Sequence, residues 1–454
     1  MTDFAGRRVA VAGIGISGVA AAVALLRNGA DVVVVDAAEG ERVESEADRL
    51  RGLGATVRLG DATTAVDADL VVTSPGWRPD QPLLAAALGA GVEVIGEPEL
   101  AWRLRPEGSP DWLGVTGTNG KTTTVGMLAS ILSAGGLRTV AAGNVGLPLV
   151  DAVLEHPPYD VLAVELSSFQ LHWSSTLTCA AAAVLNIADD HTDWHGSFDA
   201  YSADKAKILR GDPLAVVNLD DAGSVAVSAA CTHRIGFTLD DPQPGVLGVR
   251  SSELIDADGS VLAAQEDIQL SGRHNIANAL AAAALARARG VAPAAVRAGL
   301  RDYAPDHHRN ELVAVGGGVR WIDDSKATNP HAAAASLAGY DSVVWIAGGL
   351  LKGARVDELV AGVAGRLRAA VVLGQDRATI AQALKRHAPD VPVVTIDTAD
   401  TDGMNEAVRA ADRLAEPGDA VVLAPAAASM DMFRNYAERG DRFAAAARDA
   451  ARNR

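Results

Sequence analysis

The nine residues Thr116-Gly117-Thr118-Asn119-Gly120-Lys121-Thr122-Thr123-Thr124 follow an apolar run ending at Val115 and precede a helix-like stretch from Thr122 to Ala134. That spacing makes a phosphate cradle. Backbone N–H groups at a glycine turn and at the following helix N-terminus aim donors at an anion, Lys121 adds positive charge, and Thr122 offers a hydroxyl to Mg2+. The expected ligand is a nucleoside triphosphate. A standard loop of this type has glycine five residues before the Gly-Lys pair; here Val115 stands there, and the nearest earlier glycine is Gly117.

Two strand ends carry further polar groups. Glu165 opens Glu165-Leu166-Ser167-Ser168-Phe169-Gln170, where a carboxylate beside a phosphate loop would complete an Mg2+ site. A lone acid after a strand is more often a helix N-terminal charge. Asn186-Ile187-Ala188-Asp189-Asp190-His191 ends a strand with two acids and an imidazole, and the residues alone leave a metal role open. Lys205 lies in the helical run Tyr201 to Arg210 and is marked only by scarcity. Of 40 basic residues six are lysine (121, 205, 207, 326, 352 and 385) and 34 are arginine. A lysine kept in such a chain is a candidate for chemistry that needs a primary amine or a compact point charge. Lys207 and Lys385 read as solvated helix-face charges.

In the first hundred residues, Arg8 to Ala12, the turn Gly13-Ile14-Gly15-Ile16-Ser17-Gly18, a helix to Asn28, and Asp31 to Val35 followed by Asp36 form a dinucleotide-binding fingerprint. Taken alone it implies a nicotinamide cofactor with Asp36 on the ribose, hence a dehydrogenase. No hydride-transfer constellation accompanies it, and a nucleotide-sugar diphosphate uses the same anion-binding turn. The phosphate loop taken alone would equally suit a nucleotide-driven switch.

Strand-like and helix-like runs alternate almost throughout 454 residues, which predicts α/β architecture in three domains with mostly parallel sheets. We place a Rossmann-like N-terminal domain at 1–105, a central P-loop-type ATPase domain at 106–304 and a C-terminal doubly wound α/β domain at 305–454. The first boundary falls in the polar stretch Arg103 to Asp111, the second near Ala304-Pro305. Residues 223 to 268 read as short strands and turns with little helix signal. In the third segment polar residues follow strands: Asp323-Asp324-Ser325-Lys326, then Gly348-Gly349 with Lys352, then Ala424-Pro425 leading to Ser429. Ligands gather at such strand ends in open parallel sheets. A net charge of −17 without a basic block argues against nucleic acid and anionic membrane surfaces. Cys179 and Cys231 lack metal-type spacing, and no apolar stretch is long enough to span a bilayer, so a cytoplasmic protein is expected.

At TGTNGKTTT, GNVGLP, ELSSFQL, DDHTDWH, GRHNIANALAA, HHRNE, DDSKATNP, AGGLLKG and APAAASMDMF the chain resembles the Mur ligases of peptidoglycan synthesis, in all three segments and in family order. ELSSFQL, DSKATN and SMDMF are similar to the D-glutamate-adding branch. The third-lobe motifs differ from those of the other branches and of folylpolyglutamate synthases.

The resemblance implies ATP-dependent amide formation between UDP-N-acetylmuramoyl-L-alanine and D-glutamate, in a monomer. It implies that Gly117, Thr118, Asn119, Gly120, Lys121, Thr122 and Thr123 hold the ATP phosphates, with Asn275, Arg309, Asp324 and Lys326 at the nucleotide. It implies two Mg2+ sites built from Thr122, Glu165, His191 and a carbamylated Lys205, and makes Lys121, His191 and Lys205 the catalytic group. Gly15, Ile16, Ser17, Asp36 and Ser74-Pro75-Gly76 would bind the UDP moiety, and Asn144 and Gln170 would line the sugar path. Thr328, Lys352, Ser429, Met430 and Tyr436 fall where the family binds D-glutamate or nucleotide. Relatives often have phenylalanine at the position of Tyr436. They commonly follow the acid at the position of Asp36 with polar or basic residues, where this chain has Ala37-Ala38.

Overall fold

Runs such as Val32 to Val35, Val161 to Val164 and Val343 to Ala347 are apolar at every position, the pattern of strands covered on both faces. The computed structural model, which describes residues 4–61, 67–270, 272–304 and 307–454, builds them into three sheets. Pro305, on which the second expected boundary falls, lies outside the described residues. By its contacts the chain divides into one unit of 1–268 with 276–303 and a second of 269–275 with 304–454.

The first unit carries two sheets. In the first, β1 (Arg8–Ala12), β2 (Asp31–Asp36), β3 (Thr56–Leu59), β4 (Leu70–Thr73) and β5 (Glu93–Gly96) run parallel in the order β3-β2-β1-β4-β5. These are five strands of the six-stranded dinucleotide-binding order, whose reversal beside β1 opens a crevice at the strand ends. The stretch from Arg103 is less of a linker than its composition implies. The helix Glu97–Leu104 runs into it, and Arg103 grips Glu93 on β5 (2.6 and 2.9 Å) and Glu99 (2.9 Å).

The second sheet holds β6 (Asp111–Thr116), β7 (Thr139–Gly143), β8 (Val161–Glu165), β9 (Ala181–Val184), β10 (Leu214–Asn218), β11 (Arg234–Phe237), β12 (Val246–Arg250), β13 (Glu253–Ile255) and β14 (Val261–Ala264). Its order is β14-β13-β12-β11-β10-β9-β6-β8-β7. The first seven strands pair in parallel, and β13 and β14 extend the edge antiparallel. Residues 223 to 268 are thus short strands, as expected, but the helix Ala222–Val227, capped by Asp221, precedes them.

In the second unit β15 (Glu311–Gly316), β16 (Val319–Asp323), β17 (Val343–Gly348), β18 (Leu367–Leu373), β19 (Val393–Thr395) and β20 (Ala420–Leu423) are ordered β15-β16-β20-β17-β18-β19. Only β15 is antiparallel. Two apolar layers, one with Trp345 and one with Trp321 and Phe443, cover its faces. Because β20 returns between β16 and β17, the three polar strand ends named above lie side by side.

Candidate nucleotide and ligation sites

The turn after β6 needs a conformation that side chains resist. Gly120 has φ 85° and directly precedes the helix Lys121–Ala134; a Cβ there would lie 2.3 Å from Asn278 Oδ1. The turn is pinned to the end of β9. The Thr118 N–H donates to Asn186 O (2.9 Å), the Asn119 N–H to Asn186 Oδ1 (2.8 Å), and the Thr118 hydroxyl meets Tyr201 Oη at 2.9 Å. Lys121 Nζ donates to Gly117 O and Thr118 O, both at 2.9 Å, while Thr122 is half-buried and Thr123 buried at the start of the helix. A glycine turn braced from behind, with a lysine over it and a helix N-terminus beneath, can hold a polyphosphate.

Lys205, on the helix Phe198–Ala206, reaches this turn from the opposite side. Its side chain is 1 % exposed, its Nζ donates to Gly117 O at 2.8 Å and lies 4.6 Å from the centre of the Tyr201 ring. Burial, and then the charge of Lys121, hold its ammonium well below the usual lysine range. Asp190 and Glu165 act on it in the other direction. Glu165 is the last residue of β8. Its Oε1 accepts from Asn144 Nδ2 at 2.7 Å, and its buried Oε2 has no hydrogen-bond partner among the described residues. His191 has φ 54° at the start of the short helix Thr192–His195, with its ring against Phe169 at 4.7 Å. The acid, the imidazole and the lysine therefore come from the C-terminal ends of β8 and β9 and from the helix that backs the turn.

A set of residues that the sequence reading missed holds that helix. Asp204 Oδ2 accepts from His172 Nδ1 and His195 Nδ1, both at 2.8 Å, and its Oδ1 meets Lys207 Nζ at 2.8 Å. Desolvation opposes the charge, yet these three donors keep the carboxyl below the usual range. His172, His195 and Asp204 have the ligand types of a metal centre. Lys207 already neutralises the carboxylate, and the cluster closes as a hydrogen-bond network that continues from His195 Nε2 to Ser168 Oγ (3.0 Å). Lys207 is thus not a solvated helix-face charge: it also donates to His172 O at 2.9 Å. Lys385 is exposed, as expected.

In the first sheet the glycine turn closes on Ser74. A Cβ at Gly13 would lie 2.4 Å from Ser74 Oγ, and one at Gly18 1.9 Å from Gly13 O. Asp36 braces the turn, accepting from the Ile14 N–H (2.7 Å) and the Ala38 N–H (2.8 Å). Beside it Ser74 Oγ is buried without a partner among the described residues, while Ile16, next to Gly15 and Ser17, is 76 % exposed. Pro75 and Gly76 follow in the same strand-end turn. Gln170 Oε1 closes a capping box with the Ser167 N–H at 2.9 Å.

The second unit gathers the remaining residues at the ends of β16, β20 and β17. Burial pushes the Asp324 carboxyl up to about 6, against Ser336 and Arg309, which favour its charge. Lys326 Nζ lies 5.1 Å from the Tyr436 ring centre, and the Thr328 N–H donates to Lys326 O at 2.8 Å. Lys352 has φ 52°, Ser429 is buried and Met430 is 71 % exposed. Asn275 is buried in the helix Arg273–Ala288 and belongs to this unit by its contacts. Among the described residues no helix is long and apolar enough to cross a membrane.

Three family models match the chain: "Mur ligase MurD-like, N-terminal domain" at residues 7–96, "Mur ligase middle domain" at 115–286 and "Mur ligase, glutamate ligase domain" at 308–427. The chain is 57 % identical over 463 residues to the UDP-N-acetylmuramoylalanine--D-glutamate ligase of Streptomyces avermitilis, covering 99 % of both chains. It is 49 % identical over 493 residues to the enzyme of that name from Mycolicibacterium smegmatis, covering 98 % of this chain and 97 % of the other. Its fold is shared with the UDP-N-acetylmuramate-alanine ligase of Thermotoga maritima, at 20 % identity and a TM-score of 0.60 over 96 % of this chain and 98 % of that one. Sheet order, phosphate turn and full-length identity agree: the chain belongs to the Mur ligase family.

Proposed function

We propose that the chain is an ATP-dependent ligase that joins D-glutamate to UDP-N-acetylmuramoyl-L-alanine, the reaction that its relatives' names describe. The observation that carries the chemistry is Lys205, a buried amine 2.8 Å from the Gly117 carbonyl of the phosphate turn. An amine held below its usual pKa exposes a lone pair that adds CO2 with loss of one proton. The resulting carbamate is an anion beside Lys121, and arginine cannot form it. Together with Thr122, His191 and Glu165, whose Oε2 has no partner among the described residues, it would offer the oxygen and imidazole donors for two Mg2+ ions. When bound, Mg2+ supplies charge neutralisation on the phosphoryl oxygens.

The chain's own residues do the rest. The turn from Gly117 to Thr123 orients the ATP phosphates, and Lys121 stabilises the charge that gathers as the substrate carboxylate attacks the γ-phosphorus. ADP leaves and an acyl phosphate forms. The amine of D-glutamate attacks its carbonyl, and loss of phosphate and a proton leaves the amide. Gly15, Ile16, Ser17, Asp36 and Ser74 to Gly76 anchor the UDP group, with Asn144 and Gln170 toward the sugar. Asn275, Arg309, Asp324 and Lys326 contribute to the nucleotide, and Thr328, Lys352, Ser429, Met430 and Tyr436 to D-glutamate. The working division is 1–105, 106–304 and 305–454, in a cytoplasmic monomer.

Phosphate release from ATP in the presence of UDP-N-acetylmuramoyl-L-alanine tests this. Release is expected with D-glutamate and not with L-glutamate or without an amino acid. Release indifferent to both substrates would leave an ATPase and remove the ligase reading.

A further inference from the structure

Arg439 is the largest charged side chain wholly inside the second unit. It lies on the helix Tyr436–Arg452 and is 1 % exposed. Its guanidinium makes no ion pair closer than 4 Å among the described residues. Instead it spends its N–H groups on strand ends. Nε donates to Ser325 Oγ (3.0 Å), Nη2 to Ser325 O (2.8 Å), and Nη1 to Ala427 O (3.0 Å) and more distantly to Gly348 O (3.4 Å). These four acceptors sit on three residues, after β16, after β20 and at the last residue of β17. Ser325 Oγ passes the connection on by donating to Tyr436 O at 2.7 Å.

The loops so joined are under conformational demand. Gly348 and Gly349 have φ of 130° and 134°, and a Cβ on either would lie about 2 Å from a carbonyl oxygen: 1.8 Å from Leu373 O and 2.1 Å from Ala428 O. Lys352 and Ala426 hold left-handed φ of 52° and 58° although neither is glycine. Leu350 and Ala428 exchange backbone hydrogen bonds of 2.8 and 2.9 Å across the gap. Non-glycine residues persist in such conformations only where their surroundings over-determine them. The planar fork of a guanidinium can bind carbonyls in three directions at fixed angles, which an ammonium on a flexible stem cannot.

We infer that Arg439 is the positioning residue of the D-glutamate subsite, holding the loops of Lys326 and Thr328, of Lys352, and of Ser429 in one arrangement. At 1 % exposure it acts through these loops. The inference rests on the reading that these loops receive D-glutamate. Burial lowers the guanidinium pKa to about 10, so it stays charged through the range where the enzyme would be assayed.

The test is steady-state kinetics of the full chain with Arg439→Lys and, beside it, Ser325→Ala and Lys352→Ala, each checked for an intact thermal transition. Arg439→Lys is expected to raise the KM for D-glutamate at least tenfold and to leave the KM for ATP and for UDP-N-acetylmuramoyl-L-alanine within about twofold. Ser325→Ala, which removes one acceptor and keeps the guanidinium, is expected to raise the D-glutamate KM about threefold and serves if Arg439→Lys does not fold. An unchanged D-glutamate KM in a folded Arg439→Lys or Ser325→Ala, with Lys352→Ala raised, overturns the inference and leaves the subsite reading standing. A rise in the ATP KM alone, in all three, overturns the subsite reading itself.

Discussion

Lys205 and Arg439 are equally buried cations, each 1 % exposed, and the two halves of the molecule treat them in opposite ways. Around Lys205 the fold offers Gly117 O and an aromatic ring, and sets Lys121 within electrostatic reach. Its charge is disfavoured. Around Arg439 it offers four oriented acceptors, with Asp431 and Asp323 adding favourable charge. Its charge survives, because hydrogen bonds fixed before the charge arrives replace the water that burial removed. Burial sets the penalty; the acceptors decide whether the cation remains. A lysine left with a single carbonyl acceptor is suited to react, and an arginine supplied with four is suited to hold.

The largest expected effect comes from breaking the first half of that comparison. Lys205→Arg keeps a cation and cannot become a carbamate, so ligation should fall by on the order of 10^3-fold, ~4 kcal/mol of transition-state stabilisation. In Lys205→Ala, added acetate or another short carboxylate should restore part of the rate. Full activity in the arginine variant would sink the carbamate. The turn that Lys205 binds is the next target. A methyl group at Gly120 meets Asn278 Oδ1 at 2.3 Å and sits on φ 85°. Gly120→Ala should therefore cost about 1–2 kcal/mol locally and weaken ATP binding roughly tenfold. Nucleotide titration calorimetry reads this directly, and an unchanged affinity would mean that the turn is not the phosphate cradle.

Much of this was legible because its signals are local. The Gly-Lys-Thr spacing after a strand, the glycine turn after β1 and the valine-rich runs each state their own conformation, and the structure has strands and turns at all of them. Long-range pairings were not legible. Lys207 looks like any helix-face charge until Asp204 is seen to face it and two histidines from other elements. The antiparallel pair β13 and β14 is only three and four residues long, so nothing in it fixes its direction. Among 34 arginines Arg439 carries no motif. One signal was available: it sits one helical turn ahead of Phe443 and two ahead of Ala447, on the stripe that the helix buries. An arginine on an apolar stripe is a buried cation in search of acceptors.

Glu97 and Glu99, on one helix, show the same division among anions. Glu97 and Glu99 are both buried where Glu97–Leu104 meets the second sheet. Glu97 Oε1 accepts from the Val150 N–H at 2.7 Å and its Oε2 has no partner among the described residues; burial pushes its carboxyl up to about 8. Glu99 is also desolvated. Its oxygens nonetheless accept from the N–H groups of Ser175, Thr176 and Leu177, from the Thr176 hydroxyl and from Arg103, which brings it down to about 2. The signs of linkage are opposite. The stability that Glu97 contributes is complete below its unfolded value of 4.5 and is lost as pH rises through about 8; that of Glu99 is present above 4.5 and is lost as pH falls through about 2. Glu97→Gln should remove a slope of at most ~1.4 kcal/mol per pH unit between these limits. Glu99→Gln should leave that slope and lower stability throughout the neutral range. Urea unfolding midpoints at pH 5, 6.5 and 8 decide it. If wild type and Glu97→Gln run parallel, the N–H groups of Val150 and Leu149 suffice to keep Glu97 ionised, and the number of oriented partners is not what separates the two acids.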